Sequence, residues 1–190
     1  NGKIMYRPFG IPDTCFEYLN GRSRMITKMP VRLLSLSLLD LHEKKNFWDI
    51  GFCTGSVSIE AKLQFPHLHI TAFEVRQEGR ELMEINSHRM GTPGIEAIIA
   101  DFMTYDVSDL ASPDAVFIGG HGGKLPEMLQ KISSCLAEAG TVVFNSVSED
   151  SLSLFKASLP AAGLVCKEEI RIAVDEFNPI TICKAERSKN

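Results

Sequence analysis

The sequence has too few cysteines, and has them too far apart, to build a disulfide framework or a metal cluster. Cys15, Cys53, Cys135, Cys166 and Cys183 are odd in number, scattered, and never spaced C-x-x-C. That pattern argues for reduced thiols in a cytoplasmic protein, with no metal site and no stapled secreted domain. Long apolar runs are missing too. The longest, Val31 to Leu41, is interrupted by Arg32, Ser35, Ser37 and Asp40, well short of the roughly 18 residues of a membrane helix. There is no internal repeat and no low-complexity tract. A broad basic face is also absent, because the formal net charge is −4, and this argues against general nucleic-acid binding.

What is present is an ordinary globular mixture, 44% hydrophobic and 23% charged over 190 residues. That is enough for a single domain over 1–190 whose core needs no staple. The charge is unevenly placed. Residues 1–32 carry Lys3, Arg7, Arg22, Arg24, Lys28 and Arg32 against Asp13 and Glu17, for a local net charge of +4. A basic segment on an acidic body suits contact with a discrete anionic ligand, and residues 1–28 are read as that segment; a solvated arm is the plain alternative. The chain opens on Asn, which suggests a piece cut from a longer, two-domain protein.

The pattern of elements is regular. A helix is expected from about Met29 to His42, capped by Thr27, with Pro30 tolerated in its first turn. Short apolar strands follow at 47–50, 69–73, 95–100, 115–118 and 141–145. Helices lie between them at about 56–65, 77–90 and 125–139, and a further one at 149–162. The chain closes with two strands, 164–172 and 180–185, joined by a loop short enough for an antiparallel pair. Alternating strands and helices specify a parallel sheet covered on both faces. Ending it in an antiparallel hairpin is the plan of class I S-adenosylmethionine-dependent methyltransferases, a Rossmann-like α/β fold with a seven-stranded, mostly parallel sheet.

The stretch Phe47-Trp48-Asp49-Ile50-Gly51-Phe52-Cys53-Thr54-Gly55-Ser56 is the centre of that plan: a buried strand, a glycine-marked turn and an immediate helix. The dinucleotide fingerprint would need glycine at 51, 53 and 56, and positions 53 and 56 fail. The acid-x-Gly-x-Gly-x-Gly loop of S-adenosylmethionine enzymes is matched by Asp49, Gly51 and Gly55. Cys53 replaces the middle glycine, which is acceptable if its backbone angles are ordinary, and it is read as filling the turn rather than as a nucleophile. Glu74, at the end of the second strand, is placed to accept from ribose hydroxyls, and Asp101, after the third, from the adenine amine. Each acid alone could equally be a helix cap; three at successive strand ends point to S-adenosylmethionine.

Several motifs resemble one family closely. They are Gly10-Ile11-Pro12-Asp13 with Phe16, Met25-Ile26-Thr27-Lys28 with Val31-Arg32, Trp48 to Glu60, and Asp114-Ala115-Val116-Phe117-Ile118-Gly119-Gly120. They resemble the C-terminal, decarboxylating domain of precorrin-6Y methyltransferase of cobalamin biosynthesis, and its free-standing precorrin-6B (15)-methyltransferase relatives. The resemblance implies methylation of carbon 15 of a precorrin, with loss of carbon dioxide from the ring C acetate. It places cofactor contacts on Thr27, on Gly51, Phe52, Cys53, Thr54 and Gly55, on Glu74, and on Asp101-Phe102. It also implies a homo-oligomer, with a tetramer as the family habit, and fusion to a second methyltransferase in many members.

Two departures stand out. Phe52-Cys53 stands where the family has Ala-Gly or Cys-Gly, and Gly119-Gly120-His121-Gly122-Gly123 stands where it has G-G-S-G-G. The second lies where the tetrapyrrole substrate should approach. That glycine loop is expected to wall the substrate pocket, with Lys28 and Arg32, one helical turn apart, clamping substrate carboxylates. His121 is a candidate proton donor, with a solvent-facing loop histidine as the plain alternative. The alternatives for function are a class I methyltransferase acting on tRNA or protein and a non-catalytic S-adenosylmethionine-binding module. Against a nucleic-acid amino-methylase, Gly119-Gly120-His121-Gly122 occupies the place of its N/D-P-P-Y/F/W motif.

Overall fold

A computed structural model describes residues 9–189; Lys3 and Arg7 of the basic segment lie outside them. The elements run α1 (Met29–Leu38), β1 (Asn46–Ile50), α2 (Ser56–Gln64), β2 (His69–Glu74), α3 (Glu78–Met90) and β3 (Ile95–Ile99). They continue with β4 (Ala115–Ile118), α4 (Leu125–Cys135), β5 (Thr141–Ser146), α5 (Glu149–Ser158), β6 (Leu164–Ile172) and β7 (Ile180–Arg187). All seven strands form one sheet in the order β3-β2-β1-β4-β5-β7-β6. β1 to β5 pair in parallel, and β7 enters antiparallel between β5 and β6. This is the class I methyltransferase plan.

β1 is apolar because helices cover both of its sides. Trp48 and Ile50 point into a core with Leu125, Leu129 and Ile132 of α4 and Phe155 of α5. Phe47 points the other way, into a core with Val31 and Leu36 of α1 and Val57 and Ala61 of α2. A third core joins Ile11 and Phe16 of the N-terminal segment to Phe52, Ile59 and Met83.

Three helices are shorter than their periodicity predicts. α1 stops at Leu38, and Asp40, in the left-handed region at φ +53, turns the chain into a separate 3-10 turn at Leu41–Glu43. α4 ends when Leu136 turns extended. α5 gives way to a 3-10 turn at Pro160–Ala162, since proline has no N–H to continue the ladder. The cap of α1 differs as well: Lys28 holds that position, with no side-chain bond, and Thr27 lies outside it.

Register levels the strand ends. Ile50 of β1 sits opposite Phe73 of β2 and Ile118 of β4. The chain therefore leaves the sheet at Gly51, Glu74 and Gly119 side by side. β2 and β4 flank β1 on opposite sides, so this is the strand-order reversal where open α/β sheets bind ligands.

Candidate functional site

Two glycine loops meet over the end of β1. Gly51 has φ +76, and a Cβ there would lie 2.7 Å from the Gly120 nitrogen. Any other residue would push the loops apart. Gly119 N donates to Ile50 O at 2.8 Å, and Gly51 N and Phe52 N both donate to Phe73 O, at 2.8 and 3.1 Å. Gly55, at φ +80, leads into α2, and a Cβ there would come 2.7 Å from Met83 Sδ.

Cys53 departs from the expectation of ordinary backbone angles. Its φ is +50, so the residue at the middle glycine position uses the glycine-favoured region, a strain of roughly 1–2 kcal/mol. Two contacts hold it there. Its N–H donates to Glu74 Oε2 at 2.9 Å, and its Sγ donates to Met25 O at 3.1 Å. Burial first, then the Glu74 charge, pushes its thiol pKa up, so the thiol stays protonated rather than becoming a nucleophile.

The carboxylates differ in environment. Asp49 is fully buried; its Oδ2 accepts from Ser58 Oγ at 2.6 Å, while its Oδ1 has no hydrogen-bond partner among the described residues. Burial raises its pKa to about 7, with the Ser58 bond opposing and Glu74 reinforcing the shift. Glu74 is also buried, its Oε2 committed to Cys53 and its Oε1 to the amide and guanidinium of Arg76, each at 3.0 Å. Asp101 is exposed, and its Oδ1 caps the turn by accepting from Met103 N at 2.9 Å. Phe102 is buried edge-on between Trp48 and Phe73.

These groups line one cavity of about 730 Å³. Asp49, Gly51, Phe52, Cys53 and Thr54 form its floor with Glu74, and Asp101 and Phe102 form one side. Thr27 and Lys28 close it from the N-terminal segment, and Gly119, Gly120, His121 and Gly122 from the β4 loop. Gly55 and Gly123 shape these loops without reaching the cavity wall.

Arg32 corrects the predicted clamp. Its side chain is 0% exposed. Nε donates to Glu60 Oε1 at 3.3 Å, Nη1 to Asp13 Oδ1 at 3.5 Å and Thr27 O at 3.3 Å, and Nη2 to Ile11 O. All of these partners are the protein's own, so Arg32 cannot reach a substrate. Instead it pins the N-terminal segment in place. Asn86 does the same from α3: Glu17 N donates to its Oδ1 at 2.7 Å, and its Nδ2 donates to Glu17 O at 3.1 Å and to Thr54 O in the loop after β1 at 2.8 Å.

Several wall residues were not singled out from sequence. Asn145, a polar residue closing the apolar run of β5, carried the same strand-end signal as Glu74. Arg76 and Lys124 bring cations, and Val147 and Phe177 bring apolar surface. Phe177 comes from the β6–β7 loop, and Lys28 Nζ rests 4.5 Å from its ring centroid. Only tertiary structure carries that loop to the site.

Comparison with known proteins agrees with this geometry. Residues 19–189 match the model of the precorrin methyltransferase domain. A cobalt-precorrin-6B C(15)-methyltransferase (decarboxylating) of Salmonella typhimurium is 31% identical over 163 residues, covering 86% of this chain and 83% of the relative. The precorrin-6Y C(5,15)-methyltransferase [decarboxylating] of a Sinorhizobium species is 33% identical over 148 residues, 78% of this chain but 34% of that longer protein. The crystal structure of precorrin-6y C5,15-methyltransferase from Geobacter metallireducens superposes with a TM-score of 0.85 at 30% identity, covering 97% of this chain and all of the other. The family match spans most of the chain, and the chain belongs to the precorrin methyltransferase domain family.

Proposed function

We propose that this methyltransferase moves a methyl group from S-adenosylmethionine to carbon 15 of a reduced precorrin and releases carbon dioxide from its ring C acetate. The observation that carries the cofactor half is the unpaired Oδ1 of Asp49, buried beneath a loop that only glycine can form at position 51. A buried carboxylate oxygen without a partner is costly, and a cationic amino-acid end would relieve it. The other residues fit the same molecule. Glu74 Oε2 keeps one acceptor site beyond its bond to Cys53, which suits a ribose hydroxyl, and Asp101 with the Phe102 backbone suits the adenine edge. When bound, S-adenosylmethionine supplies an electrophilic methyl group.

The rest of the cavity fits a flat, carboxylate-rich acceptor. Lys28, Lys124 and Arg24 supply cations, and Val75, Val147 and Phe177 supply apolar surface beside them. Val75 and Val147 are 62% and 72% exposed, so a hydrophobic body laid against them would remove apolar surface from water. Methyl transfer to an electron-rich carbon needs alignment more than proton movement. The protein's part is to hold the macrocycle against the methyl donor and to orient the ring C acetate, whose carboxyl leaves as carbon dioxide while the electron pair of the broken C–C bond stays with the macrocycle. The five free cysteines suit a reducing cytoplasm.

Incubation with S-adenosylmethionine and the tetrapyrrole precursor, followed by mass analysis, tests the whole reading. A product that gains one methyl and loses one carbon dioxide supports it. Methylation without carbon dioxide loss would refute the decarboxylating half, and no transfer would refute it entirely.

A further inference from the structure

His121 lies in the turn between β4 and α4, half-buried on the cavity wall. Its ring meets Phe144 edge-on, with centroids 5.9 Å apart. Its Nδ1 is 3.2 Å from the amide nitrogen of Gly123. A backbone amide can only donate, so Nδ1 is the acceptor, carries no proton, and leaves the ring proton on Nε2. The turn is shaped to make this bond. Gly122 and Gly123 have φ of +55 and +76, angles that residues with a Cβ rarely adopt, and Lys124 N closes the turn onto His121 O at 2.9 Å. Protonating Nδ1 would break the Gly123 bond and charge a half-buried ring; burial alone already lowers the His121 pKa.

We infer that His121 is a substrate-binding residue whose Nε2–H, as a neutral and pre-oriented donor, holds a carboxylate of the tetrapyrrole that is retained in the product. The inference rests on the function proposed above and adds which group His121 recognises and how. With Nδ1 occupied by Gly123, the ring has no free lone pair to act as a base. As a neutral imidazole it is also a poor acid, and its use is that of a fixed donor. The recognised carboxylate must be one that stays. A donor on the carboxylate that leaves as carbon dioxide would hold negative charge there while that charge has to move into the macrocycle.

Two measurements on the intact chain test this. Nitrogen-15 NMR of the labelled protein at neutral pH is expected to show a neutral His121 protonated on Nε2. A cationic ring, or a proton on Nδ1, would overturn the inference. In steady-state assays, His121→Ala should raise KM for the tetrapyrrole about tenfold, with kcat and S-adenosylhomocysteine affinity nearly unchanged. His121→Gln, which restores an N–H donor at similar reach, should recover most of the loss. An unchanged KM in His121→Ala would overturn the assignment, as would a collapse of kcat at constant KM, which would mean proton transfer. If the wild-type protein fails to turn over the tetrapyrrole, the proposed function falls with it; intact turnover with an unaffected His121→Ala removes this inference alone.

Discussion

Arg32 and Glu60 meet between α1 and α2 with both side chains wholly removed from solvent, Nε to Oε1 at 3.3 Å. Glu60 Oε1 also accepts from Ile11 N at 3.0 Å, and Asp13 approaches the same guanidinium at 3.5 Å. The pair joins two helices to the segment that brings Thr27 and Lys28 to the cavity.

Removing Arg32 leaves Glu60 buried without its cation, and removing Glu60 leaves the buried Arg32 with Asp13 alone. Arg32→Ala and Glu60→Ala should each cost about 3–5 kcal/mol in denaturant unfolding, and the double variant should cost clearly less than the two losses combined. Losses below about 1 kcal/mol would mean the pair behaves like a surface ion pair.

Asp49 sets a pH dependence. Its folded pKa of about 7 lies above the ordinary value of 3.8. Its proton therefore stabilises the unliganded fold, fully below the unfolded pKa and less as pH rises through about 7. The shift corresponds to a difference on the order of 4 kcal/mol across that window. Asp49→Asn should flatten this slope, so that its melting temperature gains on wild type more at high pH than at low.

The same carboxylate should make cofactor binding pH-dependent. A cationic amino-acid end prefers the ionised form, so S-adenosylhomocysteine affinity should strengthen between about pH 6 and pH 8, with proton release on binding. Calorimetry in buffers of different ionisation enthalpy reads this directly. A flat profile would remove Asp49 from contact with the ligand's charge.

Glu74→Ala should weaken S-adenosylhomocysteine binding by about 1–3 kcal/mol. It removes both the proposed ribose acceptor and the brace on the Cys53 amide. Unchanged affinity would take Glu74 out of the site.

With Arg32 committed internally, the cations on the cavity wall proposed to meet the substrate include Lys28 and Lys124. Lys28→Ala and Lys124→Ala should raise KM for the tetrapyrrole and leave S-adenosylhomocysteine affinity intact. Equal loss of both affinities would show that these residues only support the fold.

The sequence by itself determined the layered sheet, its closing hairpin and the glycine loop at Asp49 to Ser56, because these follow from local periodicity and from backbone angles that only glycine takes easily. It also placed Glu74 and Asp101 at strand ends, since a polar residue ending an apolar run is readable one residue at a time. Tertiary structure decided the rest. Helical spacing put Lys28 and Arg32 on a common face, but spacing does not reveal an acid 28 residues away, and Glu60 drew Arg32 inward while Lys28 settled on Phe177. Cys53 looked tolerable on size alone; its φ of +50 depends on Glu74 and Met25 holding the loop from two other parts of the chain. The wall at Phe177 exists because an antiparallel β7 turns its hairpin back over the strand ends, a placement set by the packing of the whole sheet.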